Sequence, residues 1–154
     1  YPQVQDFLER FHLALPVIQA PMAGADNNAL AIKVAALGGM GSRGMGYTKP
    51  DLMKEAILQL KKETPVFQIN LFLPPILLPN YLTDELNEKI QHLYHYLTPY
   101  YQKLGLDNPP FVFVDIHELF KQQLQIAIDL KVPCLSFVFR LPEKEIIASC
   151  DQSG

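Results

Sequence analysis

The residues best placed to do chemistry in this 154-residue chain sit where short apolar runs end. One such run, Pro16-Val17-Ile18-Gln19-Ala20-Pro21-Met22-Ala23-Gly24, passes straight into proline and small residues. Val17, Ile18 and Ala20 suit a strand buried on both faces. Pro21 has no N–H with which to prolong a ladder, and Ala23-Gly24 leave room for backbone to approach a flat ligand. Asn70 lies near the end of a second run, Val66-Phe67-Gln68-Ile69-Asn70-Leu71, and its carboxamide donates and accepts at once. Two readings of Asn70 stay open: a ligand contact, or a tie for the loop that follows. Ser136, within Cys134-Leu135-Ser136-Phe137-Val138-Phe139, is a second polar strand residue with a weaker claim.

Other motifs carry less. Gly39-Met40-Gly41-Ser42-Arg43-Gly44 spells the dinucleotide pattern GxGxxG, but that fingerprint needs a strand before the glycines and a helix directly after them. Here a predicted helix precedes and the glycines surround the strand, so they are read as a helix cap and a close-packed strand. Gly44 and Gly46 then shape the loop at that strand's carboxyl end. His92 and His95 have a helical spacing that can present two imidazoles to one metal. No third ligand accompanies them, and Tyr94, Tyr96, Tyr100 and Tyr101 around them indicate a packing face, so no metal is assigned. His12 and His117 stand near element ends, as capping or solvated residues. Glu143 and Glu145 suit the first turn of a helix. No Ser/His/Asp or Cys/His arrangement has local support.

The elements that must position these residues follow from periodicity. Asp26-Asn27-Asn28 offer N-caps for a helix over 29–37, which Gly38-Gly39 end. A short strand over 40–42 follows. Thr48 is expected to cap a helix over 50–62, with Pro50 in its first turn and Leu52, Ala56, Ile57 and Leu60 on its inner face. After the strand at 66–71 comes a proline-rich loop over 72–80. A long helix over 83–104 carries Leu86, Ile90, Leu93 and Leu97 on one stripe, expected to be buried against the sheet's outer helices. Residues 111–114 read as extended, Asp115 caps a helix to about 130, a strand covers 133–139, and a helix starts at 142–145. Such alternation implies an α/β fold with a parallel sheet and right-handed crossovers, doubly wound or a (β/α)8 barrel. A barrel takes roughly 250 residues. On that reading the chain holds the first four strands, parallel and adjacent in sequential order, with a helical insertion over about 73–132 between strands 3 and 4.

Composition sets outer bounds. With 49% apolar and 19% charged residues the chain is of ordinary globular make-up. Its 13 Lys and Arg against 16 Asp and Glu leave a net charge of −3, which argues against a nucleic-acid surface. No apolar run approaches the ~20 residues of a membrane span. Cys134 and Cys150 make no CxxC spacing, so a reducing cytoplasm is the simplest expectation. A start at Tyr1 and an end soon after a helix begins read as an excerpt.

Taken together and in this order, residues 16–24, Ala35-Ala36-Leu37-Gly38-Gly39-Met40-Gly41-Ser42, Phe67-Gln68-Ile69-Asn70-Leu71-Phe72 and Val132-Pro133-Cys134-Leu135-Ser136-Phe137-Val138-Phe139 resemble the nitronate monooxygenase family, formerly called 2-nitropropane dioxygenases. The resemblance implies a TIM barrel that binds FMN, with residues 1–154 as the amino-terminal part of that single domain. It places Ala20, Pro21, Met22 and Ala23 beside the flavin through backbone hydrogen bonds, and Asn70 at the flavin's polar edge. The implied reaction is oxidation of an alkyl nitronate with O2 to a carbonyl compound and nitrite. Partners would be that small substrate and O2, with no nucleic acid or membrane; a homo-oligomer stays open. The family's active-site His and its phosphate-binding loops fall beyond the equivalent of Gly154, so no catalytic residue is assigned and the chain alone is expected to be inactive. Two departures stand out: Arg140 where relatives usually have Gly, and Ala25-Asp26-Asn27 where Gly and Thr are common. Alternatives are a flavin-dependent enoyl-acyl-carrier-protein reductase of the same fold, and a truncated non-catalytic remnant or interaction module.

Overall fold

The computed structural model describes residues 2–75, 83–109 and 114–153. Its elements run α1 (Pro2–Phe11), α2 (Asn28–Ala36), β1 (Gly41–Gly44), α3 (Pro50–Glu63), β2 (Phe67–Phe72), α4 (Asp84–Lys103), α5 (Ile116–Asp129), β3 (Cys134–Val138) and α6 (Lys144–Ser153). The strands form one parallel sheet in the order β1-β2-β3. The α/β class, the parallel pairing and the sequential order of these strands are those expected from the sequence.

Alternation along β2 divides its residues between two faces. Phe67, Ile69 and Leu71 are buried in one core with Met53, Ile57 and Leu60 of α3 and Phe120 and Ala127 of α5. Gln68, Asn70 and Phe72 take the other face. On β1, α2 sits so close that a Cβ at Gly41 would fall 2.1 Å from the Ala31 carbonyl oxygen. Glycine there is a packing requirement, as the structural reading of the GxGxxG stretch has it.

The strand expected over 17–20 is reduced to a single parallel bridge, Ile18 with Met40. Backbone pairing runs from Met40 N to Val17 O (2.8 Å) and from Gln19 N to Met40 O (2.9 Å). There the Gln19 side chain takes over: Nε2 donates to Ser42 O at 3.0 Å and Oε1 accepts from Ser42 N at 3.3 Å. The groups on β1 that would have continued a ladder are thereby occupied by a side chain. The segment still lies alongside β1, in the expected place and direction.

Caps follow local chemistry. Asn27 accepts from Leu30 N, Asp115 from His117 N and Glu118 N, and Gly38 leaves α2 at φ +91°. The expected Thr48 cap is wrong: the N-cap of α3 is Lys49, without a side-chain bond. Thr48 instead closes a turn, its amide donating to Met45 O at 2.8 Å.

The stripe on α4 is also corrected. No α4 residue is buried, and Leu93 is 54% exposed. Amphipathic spacing makes a helix without supplying a partner for it, and it is α5 that packs on α3 and β2. Helix α1, absent from the sequence reading, buries none of its residues either. The expected extended residues 111–113 and loop residues 76–80 lie outside the described residues. No described helix is long and apolar enough to cross a membrane.

Candidate ligand site at the carboxyl ends of the strands

Gly44, Asn70 and Ser136 stand in register across β1, β2 and β3. Asn70 is 4% exposed. Its Nδ2 donates to Ser136 Oγ at 2.9 Å, and its backbone carbonyl accepts from Met45 N at 2.9 Å. The two polar strand residues found in the sequence are thus brought together, and the tie they make is between strands, not to the loop after β2.

Beside them lies the turn that follows Ala20-Pro21. Ala25 N and Asp26 N donate to Met22 O at 2.8 and 2.9 Å. The Asp26 carboxylate then fastens the turn to β1: Oδ2 accepts from Met22 N and from Gly44 N, each at 2.7 Å, and Oδ1 from Arg43 Nε at 2.8 Å. Arg43 Nη1 also donates to Asn28 Oδ1, and Asn28 Nδ2 donates to Ala56 O (3.0 Å) and Gln59 Oε1 (2.7 Å). One chain of hydrogen bonds therefore runs from the turn through β1 to α3. Contact is close enough that a Cβ on Gly44 would stand 2.6 Å from Ala23 N.

This geometry decides which backbone groups remain to meet a ligand. The N–H and C=O of Met22 are spent inside the turn. Those of Ala20 and Ala23 have no partner among the described residues, and both residues are exposed. A rim of this kind can hydrogen-bond a flat molecule with donors and acceptors along its edge, and Asn70 lies on β2, across β1 from it. From the sequence, Asp26 is a cap candidate and part of a departure from the family's usual Gly and Thr. Its true role depends on Arg43 and Gly44, which only the fold brings near.

The remaining candidates are dispersed. His92 and His95 are exposed, and no cluster able to hold a metal exists among the described residues. Glu143 accepts from Arg140 Nη1 at 3.1 Å, and Arg140 Nε donates to Pro74 O at 3.0 Å. Arg140 thus joins the start of the loop after β2 to the approach to α6, while its neighbour Phe139 takes the left-handed backbone, φ +79°. Burial pushes the thiols of Cys134 and Cys150 above their ordinary pKa.

The parallel sheet and its flanking helices define an α/β protein, and the carboxyl ends of its strands are where a candidate ligand site would lie in such a fold. The chain belongs to the nitronate monooxygenase family, whose model, described as "Nitronate monooxygenase", matches residues 5–154. It is 32% identical over 135 residues to a probable nitronate monooxygenase of Staphylococcus saprophyticus, covering 86% of this chain and 36% of that protein. It is 31% identical over 156 residues to a probable nitronate monooxygenase of Bacillus subtilis, covering 98% and 42%. Among solved structures, the nitroalkane oxidase of Streptomyces ansochromogenes superposes with a TM-score of 0.76 at 27% identity, covering 96% of this chain and 40% of that one. FabK (M276A) of Thermotoga maritima shares the fold at a TM-score of 0.64 and 20% identity. The chain spans roughly two fifths of the length of these relatives.

Proposed function

We propose that this chain forms the ring-binding part of an FMN-dependent oxidoreductase that converts alkyl nitronates and O2 to carbonyl compounds and nitrite. The observation that carries the reading is the convergence of unpaired Ala20 and Ala23 backbone with the Asn70 carboxamide at one edge of the sheet, in a chain of this family. When bound, FMN supplies the electron transfer between nitronate and O2. The protein's part is to hold and orient it. Ala20 and Ala23 offer backbone hydrogen bonds, Pro21 and Met22 shape the rim, and Asn70, steadied by Ser136, meets the polar edge.

The sheet would be the first part of a (β/α)8 barrel, with the isolated bridge at Ile18 as the remnant of its first strand. Barrel phosphate sites commonly come from the loops after strands seven and eight, which this reading places outside residues 1–154. The 154-residue chain alone should therefore release no nitrite. The test is nitrite release from ethylnitronate by the native gene product, assayed beside NADH-driven flavin reduction. Nitrite without NADH consumption supports the reading; rapid flavin reduction by NADH with no nitrite favours the reductase alternative.

A further inference from the structure

Helix α5 buries Phe120, Gln123 and Ala127 against the rest of the protein. Two of these belong to the apolar core, and the third is a carboxamide. Gln123 is 1% exposed. Its Nε2 donates to Met45 O and Thr48 O, both at 2.8 Å, while its Oε1 is buried without a partner among the described residues. Because both partners are carbonyls, reversing the amide would set oxygen against oxygen, so the orientation is fixed. A buried acceptor without a donor is costly. Leucine or methionine would fill much the same space without that cost, so packing alone does not account for a glutamine here. What the glutamine adds is one donor group that reaches two backbone carbonyls.

Those carbonyls belong to the turn after β1. Met45 O also accepts from Thr48 N at 2.8 Å, which closes the turn, and Met45 N donates to Asn70 O at 2.9 Å. That last bond is the final rung between β1 and β2, one residue beyond the pair Gly44 and Asn70. The turn meets β2 again at Phe72, on the same face of the strand as Asn70. A Cβ at Gly46 would fall 2.3 Å from the Phe72 ring, and Tyr47 meets that ring edge-on at 4.8 Å between centroids. The turn thus holds β2 at Asn70 and once more two residues on. Gln123 in its turn supplies the only side-chain hydrogen bonds to residues 45–48 among the described residues.

We propose that Gln123 is a positioning residue for the candidate ligand site: acting through the turn at 45–48, it fixes where the Asn70 carboxamide stands relative to the ligand. The proposal rests on the reading that Asn70 meets the polar edge of FMN. Helix α5 packs on the opposite face of β2, with Ile69 and Leu71, so Gln123 itself stays clear of the ligand. Its effect is on alignment, to which hydrogen bonds are steeply sensitive.

The test is a double-mutant cycle on FMN affinity, measured by fluorescence titration of the apo form of the native gene product with Gln123→Leu, Asn70→Ala and the two combined. Gln123→Leu should bind FMN about threefold or more weakly, a part of the roughly fivefold loss expected of Asn70→Ala. In the Asn70→Ala background the same change should have almost no further effect, because the group it positions is gone. The visible absorption band of bound FMN should move in Gln123→Leu in the same direction as in Asn70→Ala. Leu60→Ala, in the core at the end of α3 away from the turn, should lower stability yet leave affinity and band unchanged. Should Gln123→Leu fail to fold, Gln123→Met is read in its place. Unchanged affinity and band in the Gln123 variant, a loss that adds in full to that of Asn70→Ala, or the same changes in Leu60→Ala would overturn the positioning role and leave the flavin reading standing. A parent that binds no FMN, or an Asn70→Ala variant that binds it as tightly as the parent, would overturn that reading and this proposal with it.

Discussion

Asp26 and Arg43, 17 residues apart, form an ion pair of 2.8 Å in which the carboxylate is fully buried and its second oxygen holds two backbone amides. Removing one member of such a pair leaves the other charge buried alone, which costs about 3–5 kcal/mol. Asp26→Ala, which also orphans the amides of Met22 and Gly44, should lose that much in urea unfolding. Asp26→Asn keeps a hydrogen-bond acceptor and should lose less. A loss below about 1 kcal/mol in Asp26→Ala would mean that the turn is held by something else.

Two glycines separate crowding from conformation. Gly44→Ala drives a Cβ to 2.6 Å from Ala23 N, so the turn must move. Gly24→Ala meets nothing within 4 Å but keeps φ +83°, at a cost of ~1 kcal/mol. We expect Gly44→Ala to lose bound flavin, and Gly24→Ala to lose stability while retaining most of the flavin. Flavin absorbance after gel filtration, read beside the melting temperature, distinguishes the two.

Helix α4 gives a contrast in stability. Leu93→Glu changes an exposed position and should shift unfolding by no more than about 0.5 kcal/mol. Ile57→Ala, in the fully buried core, should cost about 2–5 kcal/mol. Similar losses in urea melts would show that α4 packs on a partner after all.

Burial raises the Cys134 thiol, so its folded pKa lies above the unfolded value of about 8.5. The sign follows from linkage: the contribution is whole below about pH 8.5 and is lost as pH rises through the folded pKa, because the unfolded chain releases the proton more readily. The urea midpoint should therefore fall between pH 7.5 and pH 9.5, and by less in Cys134→Ala than in the parent. Identical slopes in the two proteins would rule out this thiol as a source of the alkaline loss.

Much of the frame was legible because its signals are local. Apolar runs closed by proline, glycine or asparagine marked β2 and β3, and Asn27 and Asp115 cap as their side chains dictate. The first strand is shorter than its apolar run suggests, because no local pattern shows that the Gln19 side chain will occupy the Ser42 backbone. At Thr48 a turn to Met45 won over capping. Asn70 and Ser136 were visible as polar interruptions of strands, whereas their mutual bond needed the register of β2 with β3. Arg43 and Gln123 could not be found in advance: a lone arginine or a helical glutamine reads as solvated until the fold buries it.

If the carboxyl edge built from Ala20, Ala23 and Asn70 holds a flavin ring, the dissociation constant of FMN from the native gene product must change in its Asn70→Ala variant. The measurement is a fluorescence titration of each apoprotein with FMN. Stoichiometric, noncovalent FMN binding is expected in the parent and an affinity lower by about fivefold or more in the variant, since one hydrogen bond is worth about 1 kcal/mol. A parent that binds no flavin, or a variant that folds and binds FMN as tightly as the parent, would contradict it.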